Sequence, residues 1–285
     1  MKVGVLASGG LGAKCLELIK SIFTPIFIAT DSNSTDVIDF ATKNNISLFK
    51  GNPRNGSLSN FLGDQHFDII FSINYLFIIE KEIIEKTTYP INFHGSLLPK
   101  YRGRTPHVWS IINNEKKTGV TAHIIDDGCD SGPIVLQKEI EITEQDTGAS
   151  ILLKYENIYP EMILEVLGSV KNKTLNLQSQ DHDKATYYSK RTPSDGAIDW
   201  HWQKERIRNW VRAQSYPYPG AFALLGDEKI IIDEIAFSDM GYKDTDPDGL
   251  ILSEDPFIVK TPNGAIELIR IRNQTNNLSK ENIFQ

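Results

Sequence analysis

The sequence predicts an α/β protein: a mostly parallel sheet flanked by helices, followed by a smaller β-rich unit. Two observations carry that prediction. Across the first half of the chain, short apolar runs alternate with stretches of helical periodicity, the pattern of parallel βαβ units with right-handed crossovers. After a polar stretch at 172–184, short strand-like runs follow one another with Gly, Asp and Pro between them. The expectation is a Rossmann-like domain over residues 1–190 and a small β-rich domain over 191–285.

The elements follow in order. Residues 2–7 (KVGVLA) read as a buried strand that turns through Ser8-Gly9-Gly10 into a helix over 11–22. Residues 25–30 (PIFIAT) are a second strand, 36–44 a helix and 46–49 a third strand. Residues 67–72 (FDIIFS) are a fourth strand, 78–86 a helix and 90–93 a fifth strand. Residues 120–125 and 134–142 form two more strands around a Gly/Asp turn at 126–132. Residues 150–170 carry helical periodicity, with Pro160 expected to interrupt it. Residues 172–184 read as a linker or exposed loop, and 203–212 as a helix. Residues 221–225, 229–237, 256–260 and 265–271 read as strands.

Composition narrows the function class. The chain has 285 residues, of which 40% are hydrophobic, enough to bury a core without staples. Its two cysteines, Cys15 and Cys129, suit a reducing compartment better than a disulfide framework. The N-terminal MKVGVLASGG lacks the pattern of a signal peptide, and no apolar run is long enough to span a bilayer. A cytoplasmic protein without membrane contact is expected. The net charge of −7 argues against nucleic acid as partner, because gripping a phosphate backbone calls for a basic stripe.

The chemistry concentrates in INFHGSLLPKYRGRTPHVW, residues 91–109. Asn92 and His94 lie two apart at the end of a predicted strand, so both project from one face. Ligands bind beyond the carboxyl ends of such strands. An amide beside an imidazole suits acyl transfer, the amide stabilising an oxyanion and the imidazole moving a proton. The second element is DDGCDSG, residues 126–132, where Asp130 lies between Gly128 and Gly132, which permit close backbone approach. Whether Asp130 meets His94 is not readable from spacing. A strand-end Asn-x-His taken alone is more often a structural pair.

Together, Asn92-x-His94-x-Ser96-Leu97-Leu98-Pro99 and Asp126-x-Gly128-x-Asp130-x-Gly132 resemble the folate-dependent formyltransferase family. Arg191-Thr192-Pro193, Asp199-Trp200 and Pro217-Tyr218-Pro219-Gly220-Ala221 are similar to members with an added C-terminal domain. The resemblance covers residues 1–222. It implies the formyltransferase fold, N10-formyltetrahydrofolate as co-substrate, no metal, and Asn92, His94 and Asp130 as the catalytic residues. It further implies direct attack of an amine on the formyl carbon. Asn92 and protonated His94 would stabilise the oxyanion, with Asp130 orienting His94.

The acceptor is read from weaker signals. Residues 30–45 are acidic, the wrong sign for a tRNA backbone. Arg191-Thr192-Pro193-Ser194-Asp195-Gly196, Asp199-Trp200 and Trp109 resemble sugar-nucleotide N-formyltransferases, whose acceptor is a nucleotide-linked amino-deoxysugar. A methionyl-tRNA formyltransferase and a formyltetrahydrofolate hydrolase are the alternatives. Ser8, Gly9 and Gly10 are candidates for a diphosphate, with a plain tight turn as the alternative. Asn74 and Arg102 are further candidates for the sugar nucleotide, as is Arg191. Tyr75, Phe77, Leu98, Arg104 and Asp126 are candidates for the folate, with core packing or a solvated loop as the alternative for the aromatic and arginine positions. His123 is a minor candidate on its strand, and Trp200, Trp202 and Trp210 read as core. A homodimer is the family-level expectation.

Overall fold

The fold was analysed in a computed structural model that describes residues 1–273 and 278–285. Val3–Ala7 (β1) is buried throughout, as an inner strand of a parallel sheet requires. Around it the chain lays down α1 (Gly9–Ile19), β2 (Phe27–Thr30), α2 (Thr35–Lys43), β3 (Ser47–Lys50) and α3 (Ser57–Leu62). It continues with β4 (Phe67–Ile73), α4 (Lys81–Glu85), β5 (Thr87–His94), β6 (Arg102–Gly103), α5 (Pro106–Ile112), β7 (Lys117–Ile124), β8 (Ile134–Glu141), α6 (Gly148–Lys171) and β9 (Tyr187–Tyr188). A seven-stranded sheet has the order β3-β2-β1-β4-β5-β7-β8. The pairings from β3 to β5 are parallel, and β7 joins β5 antiparallel. The expected α/β class with a mostly parallel sheet is therefore what the chain adopts.

The chain divides into two compact units. One comprises Met1–Gly103, Thr118–Ile140 and Lys154–Tyr188, and the other Arg104–Lys117, Glu141–Leu153 and Ser189–Gln285. The second unit holds α7 (Lys204–Gln214) and an antiparallel sheet of β10 (Ala221–Leu225), β11 (Glu228–Ser238), β12 (Ile251–Glu254), β13 (Phe257–Thr261) and β14 (Gly264–Ile271). Aromatic pairs join its mostly aliphatic core. Trp200 stacks on Phe284 at 5.2 Å, and Trp202 meets Trp210 edge-on at 4.8 Å.

One expectation fails. The helix thought to break at Pro160 runs unbroken over Gly148–Lys171. Tyr155, Tyr159, Met162, Ile163 and Val166 form a buried stripe that crosses the proline, and this packing outweighs one missing N–H.

That stripe also fixes the end of β5. Tyr155 donates its hydroxyl to the Gly95 carbonyl at 2.7 Å, and Tyr159 donates to the Phe93 carbonyl at 3.3 Å. The Tyr155 oxygen also lies 3.0 Å from Thr118 Oγ1. Tyr155→Phe takes the hydroxyl donor from the Gly95 carbonyl, at a cost of about 1–3 kcal/mol. Urea unfolding of the full chain reads that loss directly. An unchanged midpoint would remove the hydroxyl from the account of how β5 is held.

Candidate active site

β5 ends in mid-sheet, between parallel β4 and antiparallel β7, and this end builds the site. Phe93 is turned into the core, 5.6 Å from Phe71 and 5.9 Å from Tyr159. Alternation then sends Asn92 and His94 to the other face together. Register places His123 of β7 opposite Asn92, and Thr121 opposite His94.

The side chains converge. His94 Nδ1 lies 3.6 Å from Asp130 Oδ2, and His123 Nε2 lies 3.4 Å from Asp130 Oδ1. Each imidazole has its other nitrogen committed: His94 Nε2 donates to the Tyr101 carbonyl at 2.8 Å, and His123 Nδ1 donates to the Ile124 carbonyl at 2.8 Å. These bonds fix the tautomers, so in each neutral ring the lone pair faces Asp130. Asn92 Nδ2 donates one N–H to His123 Nε2 at 3.2 Å. An amide carries two such donors, so a second remains for a ligand.

Asp130 has a positive φ of 51°, uncommon for a residue with a side chain. Its neighbours enforce that conformation. Gly132 lies so close to β7 that a Cβ there would sit 2.0 Å from the Ile124 carbonyl oxygen. Asp126 Oδ1 accepts from Gly128 N and Ser131 Oγ, which shapes the turn. The Gly103 amide donates to Asp130 Oδ2 at 2.9 Å.

Electrostatics separate the two ionisable partners. His94 is buried, and burial pushes its pKa below the ordinary imidazole value against the pull of Asp130. Burial alone would raise the Asp130 carboxyl. Against that, the positive charge that His94 carries when protonated, the His123 ring and the Gly103 amide hold the group well below the usual carboxylate range. Burial and the carboxylate thus pull the His94 proton in opposite directions.

Other predicted positions behave differently. At the switch point of the sheet, Asn74 (φ 52°) donates to the Ser8 carbonyl at 3.0 Å, tying the ends of β1 and β4 together. The Gly9 amide already donates to Ser34 Oγ at 2.8 Å, and the Ser8 amide to the Ile73 carbonyl at 3.3 Å. Ser34 in turn donates to Asp31, a buried carboxylate beneath the turn. Gly10, the third turn position, is exposed. Tyr75 is half-buried against the core cluster around Leu58 and Ile70, and meets Phe77 edge-on at 5.6 Å. Leu98 is buried and accepts at its carbonyl from Gln137, while Arg104 and Asp126 are exposed.

Two arginines proposed for the sugar nucleotide differ in exposure, Arg102 being buried and Arg191 half-buried. Arg102 is 1% exposed and bonds to Tyr187, Gln180 and His182. Arg191, in the second unit, stacks between Trp109 at 5.0 Å and Trp210 at 4.4 Å and donates to the Asp195 carbonyl and Gln214. Arg102 thus turns both Nη groups to the protein, while the bonds of Arg191 run through Nη2. His123 is the reverse case: the sequence makes it minor, and cross-strand register brings it to the centre.

Residues 31–167 match the formyl transferase family model, and residues 190–284 match that of the formyl transferase C-terminal domain. The chain belongs to the formyl transferase family. Among relatives of this formyl transferase, the bifunctional polymyxin resistance protein ArnA of Wigglesworthia glossinidia brevipalpis is 36% identical, over 99% of this chain and 45% of that protein. The chain thus spans about half the length of that curated relative. WlaRD is described as a sugar 3N-formyl transferase, crystallised with dTDP and 5-N-formyl-THF. It is 21% identical with a TM-score of 0.72, over 96% of this chain and 99% of that one. The N-formyltransferase of Helicobacter canadensis, in complex with folinic acid and dTDP-3-aminofucose, is 23% identical with a TM-score of 0.71, over 94% and 98%. Methionyl-tRNA formyltransferase of Clostridium thermocellum is 20% identical with a TM-score of 0.60, over 84% and 94%. At these identities the structures establish the formyl transferase fold.

Proposed function

We propose that this formyl transferase carries the formyl group of N10-formyltetrahydrofolate to the amine of a nucleotide-linked amino-deoxysugar, such as a dTDP-4-amino- or 3-amino-dideoxyhexose. The observation that carries the reading is the approach of His94 and His123 to the Asp130 carboxylate, with Asn92 hydrogen-bonded to His123, at one strand end. The acceptor class is supported by the two sugar N-formyltransferases that share the fold along nearly the whole chain.

The neutral amine attacks the formyl carbon, and a new C–N bond forms as negative charge moves to the formyl oxygen. Asn92 donates its second N–H to that oxyanion. The amine proton passes to His94 Nδ1, whose lone pair points at Asp130, so the imidazolium forms beside a carboxylate. Collapse of the intermediate breaks the bond to N10, and the proton returns to N10 as the folate leaves. His94 thus starts neutral, because burial disfavours its charged form, in contrast to the protonated residue expected from the family resemblance. Tyr75, Phe77 and Leu98 remain the candidates for walling the folate, and Gly10 with Asn74 for the sugar nucleotide.

A pH dependence follows. The folded-state pKa of His94 is lowered, so its basic form persists as pH falls below the ordinary imidazole value of 6.5. The acid limb of kcat is expected below pH 6.5. A rate that instead rises as pH is lowered through 6.5 would mean that the charged ring is the working form.

The deciding experiment incubates the full chain with N10-formyltetrahydrofolate and a panel of dTDP- and UDP-linked amino sugars. Formylated sugar is the expected product. Turnover of the folate without any amine would make the protein a hydrolase, and formylation of charged initiator tRNA would make it a tRNA enzyme. The same preparation tests two linked proposals: catalysis by residues 1–190 with 191–285 as an accessory domain, and a homodimer, which light scattering reads directly.

A further inference from the structure

The polar stretch after α6 reads in sequence as a linker, yet it is wired into the site. Gln178 exchanges both backbone hydrogen bonds with Ile134, at 2.7 and 2.9 Å. Thr186 receives the Tyr101 amide on its hydroxyl at 2.8 Å and the Arg102 amide on its carbonyl at 2.9 Å. β6 and β9 pair in parallel, and the rings of Tyr101 and Tyr188 stack at 5.0 Å. Tyr101 is the residue whose carbonyl takes the His94 proton donor, and Gly103 is the residue whose amide holds Asp130. This strap therefore touches the supports of both catalytic groups.

At its centre lies Gln180, 6% exposed. Its Nε2 donates to the carbonyls of Asp130 at 2.9 Å and Gly132 at 2.7 Å. Its Oε1 receives Arg102 Nη2 at 2.6 Å. Arg102 is in turn anchored to the Tyr187 hydroxyl at 2.6 Å and His182 Nδ1 at 3.2 Å. The guanidinium donates only, so it fixes which end of the Gln180 amide is oxygen. The amide's two N–H groups then face the two carbonyls that flank the turn carrying the Asp130 carboxylate. Nothing else about Gln180 calls for an amide: a buried side chain of that length at a true linker would be apolar.

We propose that Gln180 is a positioning residue for formyl transfer, clamping the 130–132 backbone so that Asp130 keeps its left-handed conformation opposite His94. Its effect on rate rests on the formyl-transfer reading; its effect on the loop does not. Gln180→Glu separates the two. It preserves length and an acceptor for Arg102, but it places lone pairs where both carbonyls expect donors.

The test uses the full chain. Gln180→Glu is expected to lower kcat for formyl transfer about 10- to 100-fold, with KM for folate and amino sugar little changed, since the clamp touches Asp130 and neither substrate. Hydrogen exchange across 126–132 is expected to accelerate, while exchange in β1 and β4 stays as in wild type. Should Gln180→Glu not fold, Gln180→Met keeps the volume without the donors and gives the same two readouts. Unchanged turnover, or slowed turnover with unchanged exchange in the loop, overturns the clamp. Accelerated exchange in a protein whose wild type forms no formylated sugar upholds the clamp and sinks the formyl-transfer reading instead.

Discussion

Asp130→Asn is expected to slow formyl transfer about 10²- to 10⁴-fold, the range for a positioned proton-transfer group, while leaving the protein folded. Asparagine keeps the shape and one acceptor oxygen, so the Gly103 amide retains its partner. The negative charge is lost, and with it the pull that favours a proton on His94 Nδ1, 3.6 Å away. An amide N–H could also turn toward a ring nitrogen and occupy the lone pair that must accept the amine proton. Both effects act on the transition state, so kcat should fall while KM for each substrate holds. A second signature concerns stability. The Asp130 carboxyl has a lowered folded-state pKa, so its contribution is present above the unfolded value near 3.8 and is lost as pH falls through the folded value. The variant should therefore lose some of the wild type's stability at neutral pH, and the gap between them should close in acid. Rapid-quench measurement of a single turnover checks the first point. A wild-type rate in a folded Asp130→Asn protein would remove Asp130 from the chemistry.

What the sequence made legible follows from which forces are local. β1 and β4 are found because inner parallel strands are apolar on both faces and read as nearly continuous runs. Asn92 and His94 are found because strand alternation is local. The short helices Ser57–Leu62 and Pro106–Ile112, like strand Ile251–Glu254, give too few turns or alternations to stand out, and packing rather than propensity makes them. The break expected at Pro160 puts a local rule above the buried stripe that crosses it. His123 reaches the site through its pairing with Asn92, and no feature of residues 117–124 reveals that register. The strap is the plainest case. Composition at 172–184 suggests solvent, yet Gln180 is buried, because its partners are backbone carbonyls nearly fifty residues earlier in the chain. Arg102 misleads in the same way: a charge in a loop looks like a hand held out to phosphate, and it is instead an internal post 1% exposed.

Asn92→Ala is expected to cost about 10²- to 10³-fold in kcat, the range for removing one oxyanion donor, and its consequences should differ from those of Asp130→Asn. Alanine removes the second N–H, the one proposed to meet the formyl oxygen. It also removes the N–H held by His123 Nε2 at 3.2 Å, leaving that ring nitrogen to the Asp130 carboxylate alone. The substitution removes no charge from the strand end, so, unlike Asp130→Asn, the variant should keep the contribution of the Asp130 carboxylate to stability at neutral pH. The rate loss should fall on kcat, with KM for each substrate little changed, because an oxyanion donor acts on the transition state. Single-turnover measurement on the folded variant checks the rate, and unfolding across pH checks the stability. A wild-type rate would leave the strand end without a role in transfer.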